Sequence, residues 1–158
     1  VSPNGTNINK GCGSTSLELL RSEVQKNKAN LGIAFDGDGD RVLMLNSNGD
    51  KVDGDQLLFI IVRAAFEESH FDSGVVGTLM TNLAFEENLK ELGIDFSRSG
   101  VGDRYVSEMM QEKNWIYGGE NSGHILLKDL HTTGDGIISA LQVLKSIKQR
   151  QISFDRAV

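Results

Sequence analysis

The sequence LGIAFDGDGDR at residues 31–41 joins a short apolar run to an acidic, glycine-rich loop. The apolar part is typical of a buried β-strand. Three carboxylates follow within five residues, and they repel one another unless a positive charge lies between them. The intervening glycines let the backbone coil tightly, so that Asp36, Asp38 and Asp40 can converge on one point. Convergent carboxylate oxygens favour a hard cation, and the pattern predicts a Mg²⁺ site.

The guanidinium of Arg41 adds a fixed positive charge, and its planar fork of N–H donors suits a phosphoryl oxygen. A solvated acidic turn is the alternative structural explanation of the motif. An EF-hand starting at Asp36 would need Gly at its sixth position and Glu at its twelfth, but Arg41 and Ser47 stand there, so this class is excluded. A phosphatase of the haloacid dehalogenase type, with Asp36 as nucleophile, stays open as a weaker alternative, since Asp40 stands where such enzymes usually carry Thr or Val.

On both sides of this motif the chain alternates predicted strands and helices, which indicates an α/β fold with a mixed sheet flanked by helices. Strands are predicted at residues 31–35, 42–45, 51–53, 75–79, 94–96, 115–117 and 125–127. Helices are predicted at residues 17–28, 57–66, 84–92, 105–113 and 137–148. Ser16 and Asp55 are the expected N-caps of the first two helices. We expect a domain boundary near residues 50–55, which divides the chain into 1–53 and 54–158.

Three further loops carry polar side chains. GGENSGH at 118–124 places a carboxylate, a hydroxyl and an imidazole within five residues, which suits a polyhydroxylated ligand, although a plain polar hairpin is equally consistent. RSGVGDR at 98–104 is either an anion site at a helix N-terminus or a turn with Asp103 as N-cap. HTTGDG at 131–136 is predicted to be a capped loop before the last helix.

Composition excludes several function classes. The 16 basic and 22 acidic residues give a net charge of −6, which argues against a nucleic-acid-binding surface. No apolar stretch is long enough for a membrane-spanning helix, and the lone Cys12 predicts a reducing, cytoplasmic location. His70 is expected at the surface. Because the chain begins with Val, we expect it to be an internal piece of a longer protein.

Taken together, the motifs resemble those of the phosphohexomutases, the α-D-phosphohexomutase superfamily. The similar segments are NINKGCGST at 7–15, LGIAFDGDGDR at 31–41, VGDRYV at 101–106, GGENSGH at 118–124 and TTGDGI at 132–137. The DGDGDR loop is typical of the whole superfamily. The VGDRYV, ENSGH and TTGDG segments are most similar to the branch that acts on glucosamine phosphates.

The resemblance implies that Asp36, Asp38 and Asp40 hold Mg²⁺ and that Arg41 lies beside the transferred phosphate. It implies a reaction that interconverts glucosamine 6-phosphate and glucosamine 1-phosphate, for cell-wall precursor synthesis, through a bisphosphorylated intermediate and a phosphoserine. A hexosamine phosphate is therefore the expected substrate.

The resemblance also assigns roles in substrate binding. Glu120 and Ser122 would bind sugar hydroxyls, Asp103 and Arg104 would contact the substrate, and His124 would line the cleft and assist proton transfer. Phosphohexomutases have four domains, and here residues 1–53 would end the second domain while residues 54–158 would form the third. Domains one and four of the same polypeptide would then be the partners, and the chain alone is expected to be inactive. Two further alternatives remain: a mutase that acts on mannose or glucose phosphates, and a module that binds a metal or a sugar phosphate without catalytic activity of its own.

Overall fold

Two sheets organise the chain, which is described here from a computed structural model for residues 4–68 and 71–158. His70, expected at the surface, lies outside these ranges. The strands are β1 (Leu31–Phe35), β2 (Val42–Asn46), β3 (Lys51–Val52), β4 (Val75–Thr78), β5 (Phe96–Ser99), β6 (Tyr117–Gly119) and β7 (Ile125–Leu127). The helices are α1 (Glu18–Asn27), α2 (Gly54–Glu67), α3 (Leu83–Glu91), α4 (Asp103–Glu112), α5 (Gly136–Gln149) and α6 (Phe154–Ala157).

The sheets differ in topology. The first is antiparallel in the order β1-β2-β3, and Phe35 pairs with Val42, so that the acidic loop is the connection between β1 and β2. The second has the order β5-β4-β6-β7, in which β4 runs parallel to β5 and β6 while β7 is antiparallel to β6. This mixed sheet with flanking helices confirms the predicted fold class.

One apolar core reaches both sheets. Helix α5 packs against α2 and also against β1, β2 and β7, so it joins the first sheet to the second. Met44 of β2, Leu57 of α2 and Ile125 of β7 are all fully buried in the same cluster. Burying one such side chain stabilises the fold by about 1.5–3 kcal/mol. The division of the chain at residues 53 and 54 stays a prediction.

Several element boundaries differ from the sequence-based expectation. Asp53, and not Asp55, is the N-cap of α2, where it forms a capping box with Gln56. Leu17 stands at the N-cap of α1 without a side-chain hydrogen bond, so the expectation for Ser16 was wrong as well. Gly102 occupies the N-cap of α4, which makes Asp103 the first helical residue.

The strand expected at 94–96 begins later because the chain is still closing a helix there. Gly93 has a φ of +74°, and the backbone N–H of Ile94 donates to the carbonyl oxygen of Leu89, 2.9 Å away. This is the way in which a glycine ends a helix. Strand β5 therefore starts only at Phe96. Among the helices of the described ranges, none is long and apolar enough to cross a membrane.

Candidate functional site

The loop of residues 36–41, here called the cation loop, brings three carboxylates together. Each of Asp36, Asp38 and Asp40 offers an oxygen, and these oxygens lie within 4.8 Å of one another. The backbone N–H of Arg41 donates to Asp36 Oδ1 at 3.1 Å, which closes the loop. Arg41 Nε lies 3.9 Å from Asp36 Oδ2 and 3.8 Å from Asp40 Oδ1. The convergence predicted from the spacing is therefore present.

The carboxylates of this loop perturb one another. Burial raises the pKa of Asp40, and the hydrogen bond and negative charge of Asp36 raise it further. The pKa of Asp36 is lowered: burial acts against this change, but hydrogen bonds with the Asp40 side chain and the Arg41 backbone outweigh it. Like charges at this distance favour a proton or a cation between them.

An oxygen-only donor set of this kind fits a hard divalent cation. Asp40 Oδ1 is buried and has no hydrogen-bond partner among the described residues, so it is available as a ligand. Asp38 is exposed, whereas Asp36 and Asp40 are half-buried. Mg²⁺ commonly takes few protein carboxylates and keeps its other positions for water and substrate phosphate. The residues present therefore fit the ion that the sequence predicts.

Residues 118–124 comprise the end of β6 and the turn that leads to β7, and are here called the polar loop. Glu120 Oε1 accepts a hydrogen bond from the backbone N–H of Gly102 at 2.8 Å, which ties this loop to the start of α4. Ser122 Oγ lies 3.5 Å from Glu120 Oε2, and both side chains are half-buried. A carboxylate and a hydroxyl therefore stand side by side at a partly open surface.

Asp103 and Arg104 lie on the first turn of α4. Asp103 Oδ1 accepts from the backbone N–H of Arg104 at 2.8 Å, and the Arg104 guanidinium pairs with Glu108 at 2.8 Å. Both residues line a shallow cavity of about 260 Å³, to which Thr132 and Thr133 also contribute. The structure thus places them beside the loop at 131–136.

His124 is buried behind the cation loop. The residue is only 3% exposed, and its Nδ1 lies 3.1 Å from Asp40 Oδ2. Its Nε2 is buried and has no partner among the described residues. The cause is backbone pairing: the chain at Arg41 and His124 forms an antiparallel bridge, which turns the imidazole inward behind the cation loop.

Backbone hydrogen bonds join the cation loop, and the first residue of β2 that follows it, to two other loops. The N–H of Val42 donates to the carbonyl of Gly123 at 3.1 Å. The N–H of Gly136 donates to the carbonyl of Gly39 at 2.8 Å. Asp135 caps α5 by accepting from the N–H of Ile138 at 2.9 Å, as expected for a capped loop. The segment 131–136 therefore also supports the cation loop, a role that its sequence alone did not predict.

A known family model matches most of the chain. Residues 53–158 match the model described as phosphoglucomutase/phosphomannomutase, alpha/beta/alpha domain III. The chain belongs to this phosphohexomutase family.

Close relatives lie within the same family. The chain is 56% identical to the phosphoglucosamine mutase of Pasteurella multocida (strain Pm70), over 97% of this chain and 34% of that protein. It is 60% identical to the phosphoglucosamine mutase of Cellvibrio japonicus (strain Ueda107), over 93% of this chain and 33% of that protein. The chain thus spans about a third of the length of the curated relatives that it matches.

Solved phosphohexomutases share the fold. A phosphoglucomutase/phosphomannomutase family protein from Burkholderia thailandensis superposes with a TM-score of 0.77 at 22% identity, covering 86% of this chain and 30% of that one. An Aspergillus fumigatus N-acetylphosphoglucosamine mutase, in complex with GlcNAc-6P and magnesium, gives a TM-score of 0.75 at 17% identity, covering 98% and 40%. At these identities, the two structures show that the fold is shared.

Proposed function

We propose that this chain is the part of a phosphoglucosamine mutase that binds the divalent cation and recognises the sugar. The proposed reaction interconverts glucosamine 6-phosphate and glucosamine 1-phosphate by phosphoryl transfer. The single observation that carries the proposal is the convergence of Asp36, Asp38 and Asp40 within 4.8 Å, on a chain 56% identical to a phosphoglucosamine mutase. Identity at this level to enzymes of that name favours glucosamine over mannose or glucose as the sugar.

In this proposal the three aspartates of the cation loop hold Mg²⁺. When bound, Mg²⁺ supplies positive charge that offsets the negative charge on a phosphoryl group during its transfer. Arg41 keeps nearly half of its side chain exposed beside these carboxylates, so its guanidinium can bind a phosphoryl oxygen from the solvent side. Phosphoryl transfer depends mainly on positioning and charge neutralisation, which are the two contributions that this loop can make.

Sugar recognition is assigned to the polar loop at 118–124 and the start of α4. Glu120 and Ser122 offer an acceptor and a hydroxyl to the sugar, whose hydroxyl groups need both kinds of partner. The Arg104 side chain is 80% exposed, so its guanidinium, which pairs with Glu108 through Nε, can also contact substrate phosphate, with Asp103 beside it. The hydrogen bond between Glu120 and the backbone of Gly102 holds these two regions next to each other.

The remaining parts of the reaction are assigned to regions outside this chain. A phosphoserine donor and a second phosphate-binding loop would come from domains one and four of the same polypeptide, and we place the enzyme in the cytoplasm. The purified 158-residue chain should therefore show no mutase activity above background. Detectable conversion of glucosamine 1-phosphate by this chain, free of host enzyme, would contradict this assignment.

A chimeric enzyme tests the proposal directly. The segment of the Pasteurella multocida phosphoglucosamine mutase that aligns with this chain is replaced by this chain, and conversion of glucosamine 1-phosphate is measured. We expect activity within about tenfold of the parent enzyme. The matched control is the same chimera with Asp38→Asn, which should lose at least about 100-fold, since charge stabilisation by a metal is worth several kcal/mol.

The outcomes separate the alternatives. A folded chimera that accepts mannose 1-phosphate in preference would indicate a phosphomannomutase instead. The chain alone could hydrolyse a general phosphomonoester and lose this activity on Asp36→Asn. That result would favour the alternative of a phosphatase of the haloacid dehalogenase type. A folded, inactive chimera that still binds Mn²⁺ would indicate a binding module and refute the proposed catalytic role.

A further inference from the structure

We propose that residues 8–14, here called the strap, position the cation site: the two ends of the strap, at 8–9 and 13–14, hold the first half of the cation loop in the conformation in which its carboxylates converge. The inference rests on the proposed function, because it assumes that this loop binds a divalent cation. The strap lies within NINKGCGST at 7–15, a segment to which the proposed reaction assigns no role.

The first end of the strap lies over Gly37, the second residue of the cation loop. A Cβ atom at this glycine would lie 2.4 Å from Ile8 Cγ2 and 3.3 Å from Asn9 Nδ2, so the strap packs directly on the glycine. Gly37 stands between Asp36 and Asp38. The contact therefore limits the movement of the backbone that carries two of the three proposed ligands.

The second end of the strap is bonded to the last residue of β1. The backbone N–H of the buried Ser14 donates to the carbonyl oxygen of Phe35 at 3.1 Å. A Cβ atom at Gly13 would lie 2.9 Å from the same oxygen, so the strap approaches it closely. Because the peptide unit is planar, holding the carbonyl of Phe35 also holds the N–H of Asp36, the first proposed ligand.

The strap is a compact turn whose ends contact each other. Asn9 has a φ of +59° and Gly13 a φ of +78°, in the left-handed region that Gly and Asn adopt most readily. A Cβ atom at Gly13 would lie 2.8 Å from Asn9 Oδ1, which brings the two ends together. The strap therefore meets the cation loop as one unit, and loss of either contact affects the other.

The first half of the cation loop needs such support because its carboxylates repel one another. In the second half, the carbonyl of Gly39 accepts from the N–H of Gly136, and Val42, which follows the loop, donates to Gly123. The strap supplies the corresponding contacts at residues 35–37. A loop that is held in its binding conformation loses less free energy on binding, so the strap should raise the affinity for the cation.

Two glycines of the strap provide a matched pair of variants. Mn²⁺ is titrated into the full 158-residue chain by calorimetry, for wild type, Gly13→Ala and Gly11→Ala. Both glycines have a positive φ, +78° and +64°, so both variants carry similar backbone strain, but a Cβ atom at Gly11 would have no heavy atom of the described residues within 4 Å. We expect Gly13→Ala to weaken Mn²⁺ binding about tenfold, as is usual when the support of a metal ligand is lost. Gly11→Ala should change the affinity by less than about twofold.

Hydrogen exchange tests the same coupling from the other side. If the strap favours the cation, the cation must favour the fastened strap by the same factor, because coupling between two sites is reciprocal. Exchange of the Ser14 N–H is followed by mass spectrometry of wild type with and without saturating Mn²⁺. We expect Mn²⁺ to slow this exchange about tenfold. A strap with a merely structural role would exchange at the same rate in both states.

The outcomes distinguish this inference from the proposed function. If wild type does not bind Mn²⁺, the cation site is refuted and the inference with it. If wild type binds and the folded Gly13→Ala variant binds equally well, only the role of the strap is overturned. An equal loss in Gly11→Ala would also overturn it, since strain and not the contact with Phe35 would be the cause. Should Gly13→Ala not fold, the exchange of Ser14 decides: slowing by Mn²⁺ supports the inference, and an unchanged rate overturns it.

Discussion

Replacing Asp55 with Asn tests what a buried carboxyl group contributes to the stability of this fold. Asp55 lies in the first turn of α2 and is only 3% exposed. Its Oδ2 accepts a hydrogen bond from the backbone N–H of Asn82 at 2.8 Å, which ties α2 to the turn before α3. Burial raises the pKa of Asp55 to about 6, although this hydrogen bond acts in the opposite direction.

The magnitude follows from the change in pKa. The ordinary value is 3.8 and the folded value about 6, a difference of about 2 units, and each unit corresponds to about 1.4 kcal/mol. The folded state therefore binds the proton more tightly than the unfolded state. Protonation of Asp55 therefore stabilises the folded state by about 3 kcal/mol. This contribution is fully present below pH 4 and is lost as the pH rises to about 6.

The Asn variant keeps an acceptor for the Asn82 N–H but cannot titrate. The free energy of unfolding is measured by urea denaturation between pH 3.5 and 7.5 for wild type and Asp55→Asn, and the difference between the two is plotted. We expect the variant to gain about 3 kcal/mol relative to wild type between about pH 4 and pH 7. Glu87→Gln, at an exposed position on α3, is the control and should give a flat difference. Parallel curves for wild type and Asp55→Asn would refute the argument from burial.

Three further predictions concern the site and its support. Gly54→Ala should lower the free energy of unfolding in urea denaturation by about 1–3 kcal/mol, because the added Cβ would lie 2.0 Å from the carbonyl oxygen of Glu120. An unchanged denaturation midpoint would contradict this close approach. Asp38→Asn should weaken Mn²⁺ binding about tenfold or more in calorimetry. The melting temperature should stay the same, since Asp38 is exposed. Equal Mn²⁺ affinity of the variant and wild type would remove Asp38 from the proposed ligands. Asp53→Ala should cost about 1 kcal/mol by thermal unfolding through loss of the capping box, whereas Asp53→Asn should cost less.

Local patterns of sequence were sufficient for most of the architecture. Each helix from α1 to α5 lies where the sequence predicted a helix, and β1 and β7 have the predicted bounds. The DGDGDR spacing also predicted the convergence of carboxylates, because ligands two residues apart in a tight loop depend little on the rest of the chain. These features share short-range causes.

The features that sequence did not reveal depend on contacts between distant segments. The sequence of the loop at 118–124 did not indicate that the bridge between Arg41 and His124 would bring the imidazole to 3.1 Å from Asp40 Oδ2. Either Asp53 or Asp55 is an acceptable cap by residue type, and the choice depends on β3 ending at Val52. Nothing in the residues near Gly134 indicates that an imidazole packs against it.

Under the proposed function, the distribution of exposure around the cation loop sets the side from which substrate would bind. On the inner side, the His124 side chain is 4% exposed and Asp36 is 13% exposed, so this side of the loop is closed in the described part of the chain. On the outer side, Arg41 is 47% exposed and Asp38 is open to solvent. A phosphoryl group that binds both the cation and Arg41 therefore has to reach them from the solvent face. Under the same proposal, the groups that complete the reaction would lie across that face, where domains one and four are proposed to close over it.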